Sequence, residues 1–193
     1  MTGVPEVLGL TDERELLSFI PGEVPAYPMP RWVWTDEALI SSVQLLRQFH
    51  DSTVGCDRSG PWRSPVHQPV EVICHNDFAP YNLVYEHGLA VAIIDFDYAS
   101  PGPRLWDLAY LAYRVAPLST DNSDGFTVAA RQERLSAMLR VYGTNATDTE
   151  LGATVVRRLL ELATFSEAMA ETLGTPELAE HAATYRKDAA ALG

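Results

Sequence analysis

Hydrophobic and polar positions along this 193-residue chain change period several times, and each change marks an element. The opening segments VPEVLGL and ERELLSFIPGE alternate like two short strands joined by a turn. From Thr35-Asp36-Glu37 the period becomes helical through about His50, with Leu39, Val43, Leu46 and Phe49 on one face. Residues 51–69 form a Gly- and Pro-bearing loop around Trp62. Val70 to Cys74 reads as a strand, and Leu83 to Tyr85 with Leu89 to Ile94 as a hairpin about Glu86-His87-Gly88. Helices are predicted at Arg104 to Val115, about Asp124 to Gly143, after the capping-box pattern Thr147-Asp148-Thr149-Glu150 to about Leu173, and from Thr175-Pro176-Glu177. The order predicts an α+β chain that is mostly helical after its hairpin.

The stretch HNDFAPYNLVYEHGLAVAIIDFD, residues 75–97, carries the chemistry. His75, Asp77 and Asn82 stand in an H-x-D-x-x-x-x-N frame, and the apolar run after the turn ends on Asp95. Phosphoryl transfer needs an oriented nucleophile and cations on the phosphate oxygens more than it needs covalent help. Asp77 would accept or direct the proton of a substrate hydroxyl. Asn82 and Asp95 would bind Mg²⁺, which favours hard oxygen ligands. The hairpin would return Asp95 beside Asn82. Asp and Asn are also ordinary turn formers, so the bare frame is a weak signal; joined to the hairpin and its terminal Asp it is a strong one. His75 is expected to hold the loop rather than to react. Cys74, His75, His67 and His87 lack the paired spacing of a zinc site.

HNDFAPYN, IIDFDYASPGPRLWDLAY and LLRQFHD resemble the aminoglycoside phosphotransferase and choline kinase family, which shares the protein-kinase fold. The resemblance runs from about residue 3 to at least residue 120. It implies Asp77 as the catalytic aspartate, Asn82 and Asp95 as Mg²⁺ ligands, and Asp107 as a brace on the catalytic loop. It also implies a hinge at Ser18, Phe19 and Ile20 whose backbone would meet adenine, and a pocket floor at Leu83 and Ile94; a strand end and core packing explain the same five residues equally well. Asp97 stands where protein kinases carry Gly and is similar to the second acidic position of small-molecule relatives. Only ASPGPR separates Tyr98 from Leu105, too short for a peptide platform, so a small-molecule hydroxyl is the expected acceptor. The cofactors implied are ATP, or GTP, and Mg²⁺.

The same resemblance implies an N-terminal lobe with a phosphate-covering loop and a strand lysine. No Gly-rich phosphate loop is visible, and the only lysine is Lys187. The expected division is therefore a strand-and-hinge remnant over residues 1–22 and a kinase-like C-terminal lobe over 23–193. Electrostatic preorganisation is usually the largest catalytic contribution, so weak or absent turnover is expected. The alternative is a non-catalytic nucleotide-, ligand- or partner-binding protein; a second copy, in a dimer, is one source of the missing surface.

Composition fits a cytoplasmic domain. Cys56 and Cys74 are too few for a disulfide framework, and no apolar run approaches a membrane span. A formal charge of -12 argues against nucleic acid. It suits a cationic small substrate, such as an antibiotic amine, by steering; simple solubility accounts for the same charge. Glu161, Glu167 and Glu171 are further acids on a helix face, where exposed glutamates are usually just solvated.

Overall fold

The computed structural model describes residues 3–120 and 125–193. It divides into two compact units, Met1–Asp107 and Leu108–Gly193, and α2 (Arg104–Val115) crosses the boundary between them.

The first unit opens with the expected antiparallel pair, β1 (Val7–Leu10) and β2 (Glu15–Leu17), registered Leu10 to Glu15 and Val7 to Leu17. Both strands are largely exposed, Leu10 and Leu16 among their exposed apolar residues. The chain then passes Gly22, where a Cβ would overlap the Val84 side chain and come 2.8 Å from the Tyr85 carbonyl oxygen. Only glycine allows the approach that lets Glu23 and Tyr85 exchange two backbone hydrogen bonds of 2.8 Å.

A short 3-10 turn, Arg31–Trp34, precedes α1 (Asp36–Ser52). Thr35 caps α1 by accepting the Ala38 N–H on its hydroxyl, and Asp36 and Glu37 lie in the first turn, where the helix dipole favours acids. Its buried face carries Leu39, Val43, Leu46 and Phe49 as the periodicity predicts, and also His50. Complete burial of each aliphatic side chain there stabilises by roughly 1.5–3 kcal/mol.

β3 (Val72–Cys74) pairs antiparallel with β6 (Ser100–Gly102), Cys74 opposite Ser100. β6 was not predicted: S-P-G reads as a turn, and its pairing is a tertiary matter. β4 (Leu83–Glu86) and β5 (Leu89–Ile93) form the predicted hairpin. His87 (φ 51°) and Gly88 (φ 80°) make its two-residue turn, both at positive φ as the strand twist requires. Pro80–Asn82 forms a 3-10 turn between the β3 loop and β4.

The second unit holds the rest of α2, then α3 (Val128–Tyr142), α4 (Asp148–Leu173) and α5 (Pro176–Leu192). The expected start of α3 at Asp124 lies outside the described residues; Thr127 caps the helix and Gly143 ends it at positive φ. Thr147 and Glu150 form the predicted reciprocal capping box on α4. Inside this unit Tyr113 donates to Asp188 at 2.6 Å, and Thr120 donates to the same carboxylate through both N–H and hydroxyl. Burial, then the Asp188 partner, pushes the Tyr113 phenol upward. Glu167 is tied to Arg186 at 2.6 and 2.9 Å, so its charge serves an interhelical pair.

Candidate active site

The loop that follows β3 is fixed from beneath by one buried carboxylate. Asp107 accepts the backbone N–H of His75 at 2.6 Å and of Asn76 at 2.8 Å, and its second contact on Oδ2 is His50 Nε2 at 3.1 Å. Burial alone would raise the Asp107 carboxyl. The hydrogen bonds to His50 and to the His75 N–H outweigh it, and hold Asp107 below the ordinary carboxylate range. His50, Cys74 and Asp107 place one ligand-type atom each within 4.8 Å of the others. The Asp107 oxygens already accept hydrogen bonds, and Cys74 Sγ donates to the Pro103 carbonyl at 3.4 Å, so this cluster reads as a brace.

Two side chains give the loop its shape. Asn76 sits at φ 65°, a left-handed conformation that Asn tolerates better than most residues. Its Nδ2 donates to the Tyr98 carbonyl at 2.7 Å and to Ser100 Oγ at 2.8 Å. His75 is fully buried: Nδ1 accepts the Asp77 N–H at 3.2 Å, which makes Nε2 the donor to the Ile94 carbonyl at 2.9 Å. One imidazole thus ties the Asp77 loop to the residue before Asp95. It holds the loop, as the sequence predicts.

Asp77 and Asn82 are joined directly, and Asp95 follows the residue whose backbone pairs with Asn82. Asn82 donates Nδ2 to the Asp77 carbonyl at 2.9 Å and to Asp77 Oδ2 at 2.8 Å, which leaves Asn82 Oδ1 as an acceptor. Tyr81 donates its hydroxyl to Asp77 Oδ1 at 2.9 Å. The Ile94 N–H donates to the Asn82 carbonyl at 3.0 Å, so the hairpin ladder extends one pair past β4 and β5 and sets Asp95 down beside Asn82. Asp95 is exposed at φ 63° and makes no hydrogen bond or ion pair among the described residues. Holding a non-glycine residue there costs on the order of 1 kcal/mol.

The donor set fits a small hard cation. Among the described residues Asn82 Oδ1 and the Asp95 carboxylate have no competing donor, and one or two protein oxygens among waters and phosphates is the usual Mg²⁺ arrangement. Each Asp77 oxygen accepts one hydrogen bond and keeps a lone pair for a further donor.

The remaining expected site residues lie differently. Ser18 is committed to the hairpin: its N–H donates to the Glu6 carbonyl at 2.9 Å and its hydroxyl accepts the Glu6 N–H at 2.8 Å. Phe19 is exposed and Ile20 half-buried. Leu83 is wholly buried in β4, and Ile94 is half-buried with its N–H on Asn82. A cleft of about 560 Å³ beside Asp95 is lined by Leu17, Phe49 and Phe96 among others, but not by Ser18, Phe19, Ile20, Leu83 or Ile94. Asp97 is exposed and paired with Arg63 at 2.9 Å. Tyr81, His50 and Arg63 were not singled out from sequence; of these only His50 left a signal, as a polar residue on the buried stripe of α1.

Residues 61–143 match the family model of the phosphotransferase enzyme family. The trifolitoxin immunity protein of Rhizobium leguminosarum bv. trifolii is 34% identical over 154 residues, which is 72% of this chain and 57% of that protein. The chain therefore spans little more than half the length of this curated relative. Among solved structures, Plasmodium vivax ethanolamine kinase superposes with a TM-score of 0.68 at 11% identity, over 98% of this chain and 67% of its own. APH(2″)-IIa bound to gentamicin superposes with a TM-score of 0.62 at 12% identity, over 96% and 74%. Its ternary complex with streptomycin and ATP gives 0.57 at 14% identity, over 92% and 75%. These likenesses show a mixed α/β chain with the protein-kinase-like fold. No described helix is long and apolar enough to cross a membrane.

Proposed function

We propose, from the family match of residues 61–143 and the protein-kinase-like fold, that this chain transfers the γ-phosphoryl group of ATP to a hydroxyl on a small cationic molecule. The observation that carries the reading is the join at Asn82: its side chain holds Asp77, its carbonyl receives the Ile94 N–H, and the next residue, Asp95, has no partner among the described residues. Asp77 directs the acceptor hydroxyl and takes its proton as the new P–O bond forms and the bond to the β–γ bridging oxygen breaks; ADP leaves with that oxygen. Asn82 and Asp95 would hold Mg²⁺, whose charge offsets that of the phosphate oxygens. Asp107, His50 and His75 keep the two loops in register and touch no reactant.

Several features support the finer parts of the reading. The formal charge of -12 favours a cationic acceptor by steering. Likeness to an immunity protein supports a protective role against a toxic compound. Likeness to an ATP-bound structure supports ATP as the donor. Residues 1–22 are read as the hinge-side strands and 23–193 as the kinase-like lobe. A non-catalytic binding reading has one observation in its favour: the only lysine, Lys187, is on α5, so phosphate neutralisation within these residues falls to arginine and metal.

The test is transfer of labelled phosphate from ATP to a panel of amine-bearing alcohols, with Asp77→Ala alongside. Transfer reduced by at least 10²-fold in the variant is expected for loss of the group that handles the proton. Undiminished transfer in Asp77→Ala would remove Asp77 from the mechanism. No transfer by the parent to any acceptor would favour the binding reading.

A further inference from the structure

Asp77 is held by two side-chain donors, and one of them lies outside the H-x-D-x-x-x-x-N frame. Asn82 Nδ2 donates to Asp77 Oδ2 at 2.8 Å, while the Tyr81 hydroxyl donates to Asp77 Oδ1 at 2.9 Å. The two residues are neighbours in the chain, yet they take opposite oxygens of one carboxylate. Both stand on the 3-10 turn Pro80–Asn82, where Pro80 and Asn82 are buried and the Asn82 N–H donates to the Ala79 carbonyl at 2.9 Å. Tyr81 is half-buried, and the Tyr27 ring lies 6.2 Å from it between centroids, tilted by 48°. All of these residues belong to the first unit.

An aspartate carboxylate turns about a soft terminal torsion. With Asn82 alone it would pivot on Oδ2. A second donor on Oδ1 fixes its plane as well as its position. Each oxygen still keeps a lone pair, so an acceptor hydroxyl has a place to bond without displacing Tyr81. Orientation matters because misplacing a reacting group by about 1 Å costs on the order of 10²-fold in rate.

We propose that Tyr81 is a positioning residue: its hydroxyl sets the rotation of the Asp77 carboxylate toward the acceptor, and Tyr27 steadies the Tyr81 ring. The effect on rate rests on the phosphoryl-transfer reading above; the hold on the carboxylate does not. Tyr81 acts through Asp77, so its loss slows transfer and leaves nucleotide affinity alone.

The test is Tyr81→Phe, which keeps the ring and its Tyr27 contact and removes only the hydroxyl. The first readout needs no turnover: the Asn82 side-chain amide signals of the whole chain, by heteronuclear NMR without metal or nucleotide. Asn82 Nδ2 donates to both the Asp77 carbonyl and Oδ2, so a carboxylate that turns more freely shifts or broadens these signals. The second is steady-state transfer of labelled phosphate from ATP to the best acceptor of the amine-bearing panel. The expected result is a change in the Asn82 signals at parental melting temperature, with kcat lower by about tenfold and KM for ATP unchanged. Tyr27→Ala, which keeps the hydroxyl, should give a smaller fall of the same kind. Parental Asn82 signals in Tyr81→Phe would overturn the hold on the carboxylate, and a parental kcat would overturn the positioning role. A higher kcat or a lower acceptor KM would also overturn it, because Tyr81 would then be obstructing Asp77. If the parent transfers no phosphate to any acceptor, the phosphoryl-transfer reading fails and takes the kinetic role with it. The Asn82 signals then decide the hold on the carboxylate by themselves.

Discussion

Replacing Asp107 by Ala removes three contacts at once and leaves their donors in a place water does not reach. The N–H groups of His75 and Asn76, now bonded at 2.6 and 2.8 Å, would be buried without partners, and His50 Nε2 would lose its own. An orphaned buried donor costs about 1–3 kcal/mol, so two backbone groups together cost about 4 kcal/mol. That is a large share of the roughly 5–15 kcal/mol that keeps a typical domain folded. Urea unfolding followed by circular dichroism should show the midpoint falling by about 2 M if the slope is about 2 kcal/mol per M. Asp107→Asn preserves the shape but offers one acceptor and one donor where two N–H groups converge, so it should fall between the parent and Ala.

The acid limb gives a second reading of the same carboxylate. The Asp107 pKa is lowered in the folded protein, so the folded state binds its proton less readily than the unfolded chain does. Its contribution is complete above the unfolded carboxylate value of about 4 and is lost as pH falls through the lower folded value. The parent should lose stability across that window, and Asp107→Asn should show a flatter profile there. An Asp107→Ala variant that shifts the midpoint negligibly, or an Asn variant with the parent's acid limb, would refute the bracing argument.

Two other substitutions test separate links. Asp95→Gly relieves a left-handed backbone and removes a carboxylate with no partner, so melting temperature should hold or rise while metal-dependent nucleotide binding disappears; a destabilised Gly variant would show that Asp95 has structural partners. Thr147→Ala breaks the reciprocal capping box at the start of α4 by removing the hydroxyl that accepts the Glu150 N–H at 3.2 Å, and should cost about 1 kcal/mol by urea denaturation without altering nucleotide binding.

What the sequence made legible follows from how local each signal is. The hairpin could be read because His87-Gly88 is a turn by composition, and the apolar runs on either side have strand period. α1 could be read because Thr35 caps it and its stripe repeats every three to four residues. The α4 capping box is four consecutive residues. β6 escaped because Ser100-Pro101-Gly102 has no strand character of its own and exists only as the partner of Val72–Cys74. His50 escaped as a partner because its reason for burial is Asp107, 57 residues away. In the candidate site, spacing alone nominates Asp77, Asn82 and Asp95, while Tyr81 on Asp77 and Arg63 on Asp97 depend on loop geometry that spacing does not encode. Ser18, expected at the hinge, closes the β1–β2 pair with its N–H.

The most direct test of the account is a calorimetric titration of the chain with ATP, with and without Mg²⁺, beside Asp95→Ala. The account predicts saturable binding that requires Mg²⁺ and is lost in the variant, because Asn82 and Asp95 would together hold the metal that bridges to phosphate. Nucleotide binding that is the same without Mg²⁺ and unaffected by Asp95→Ala, or no binding at millimolar ATP, would contradict it.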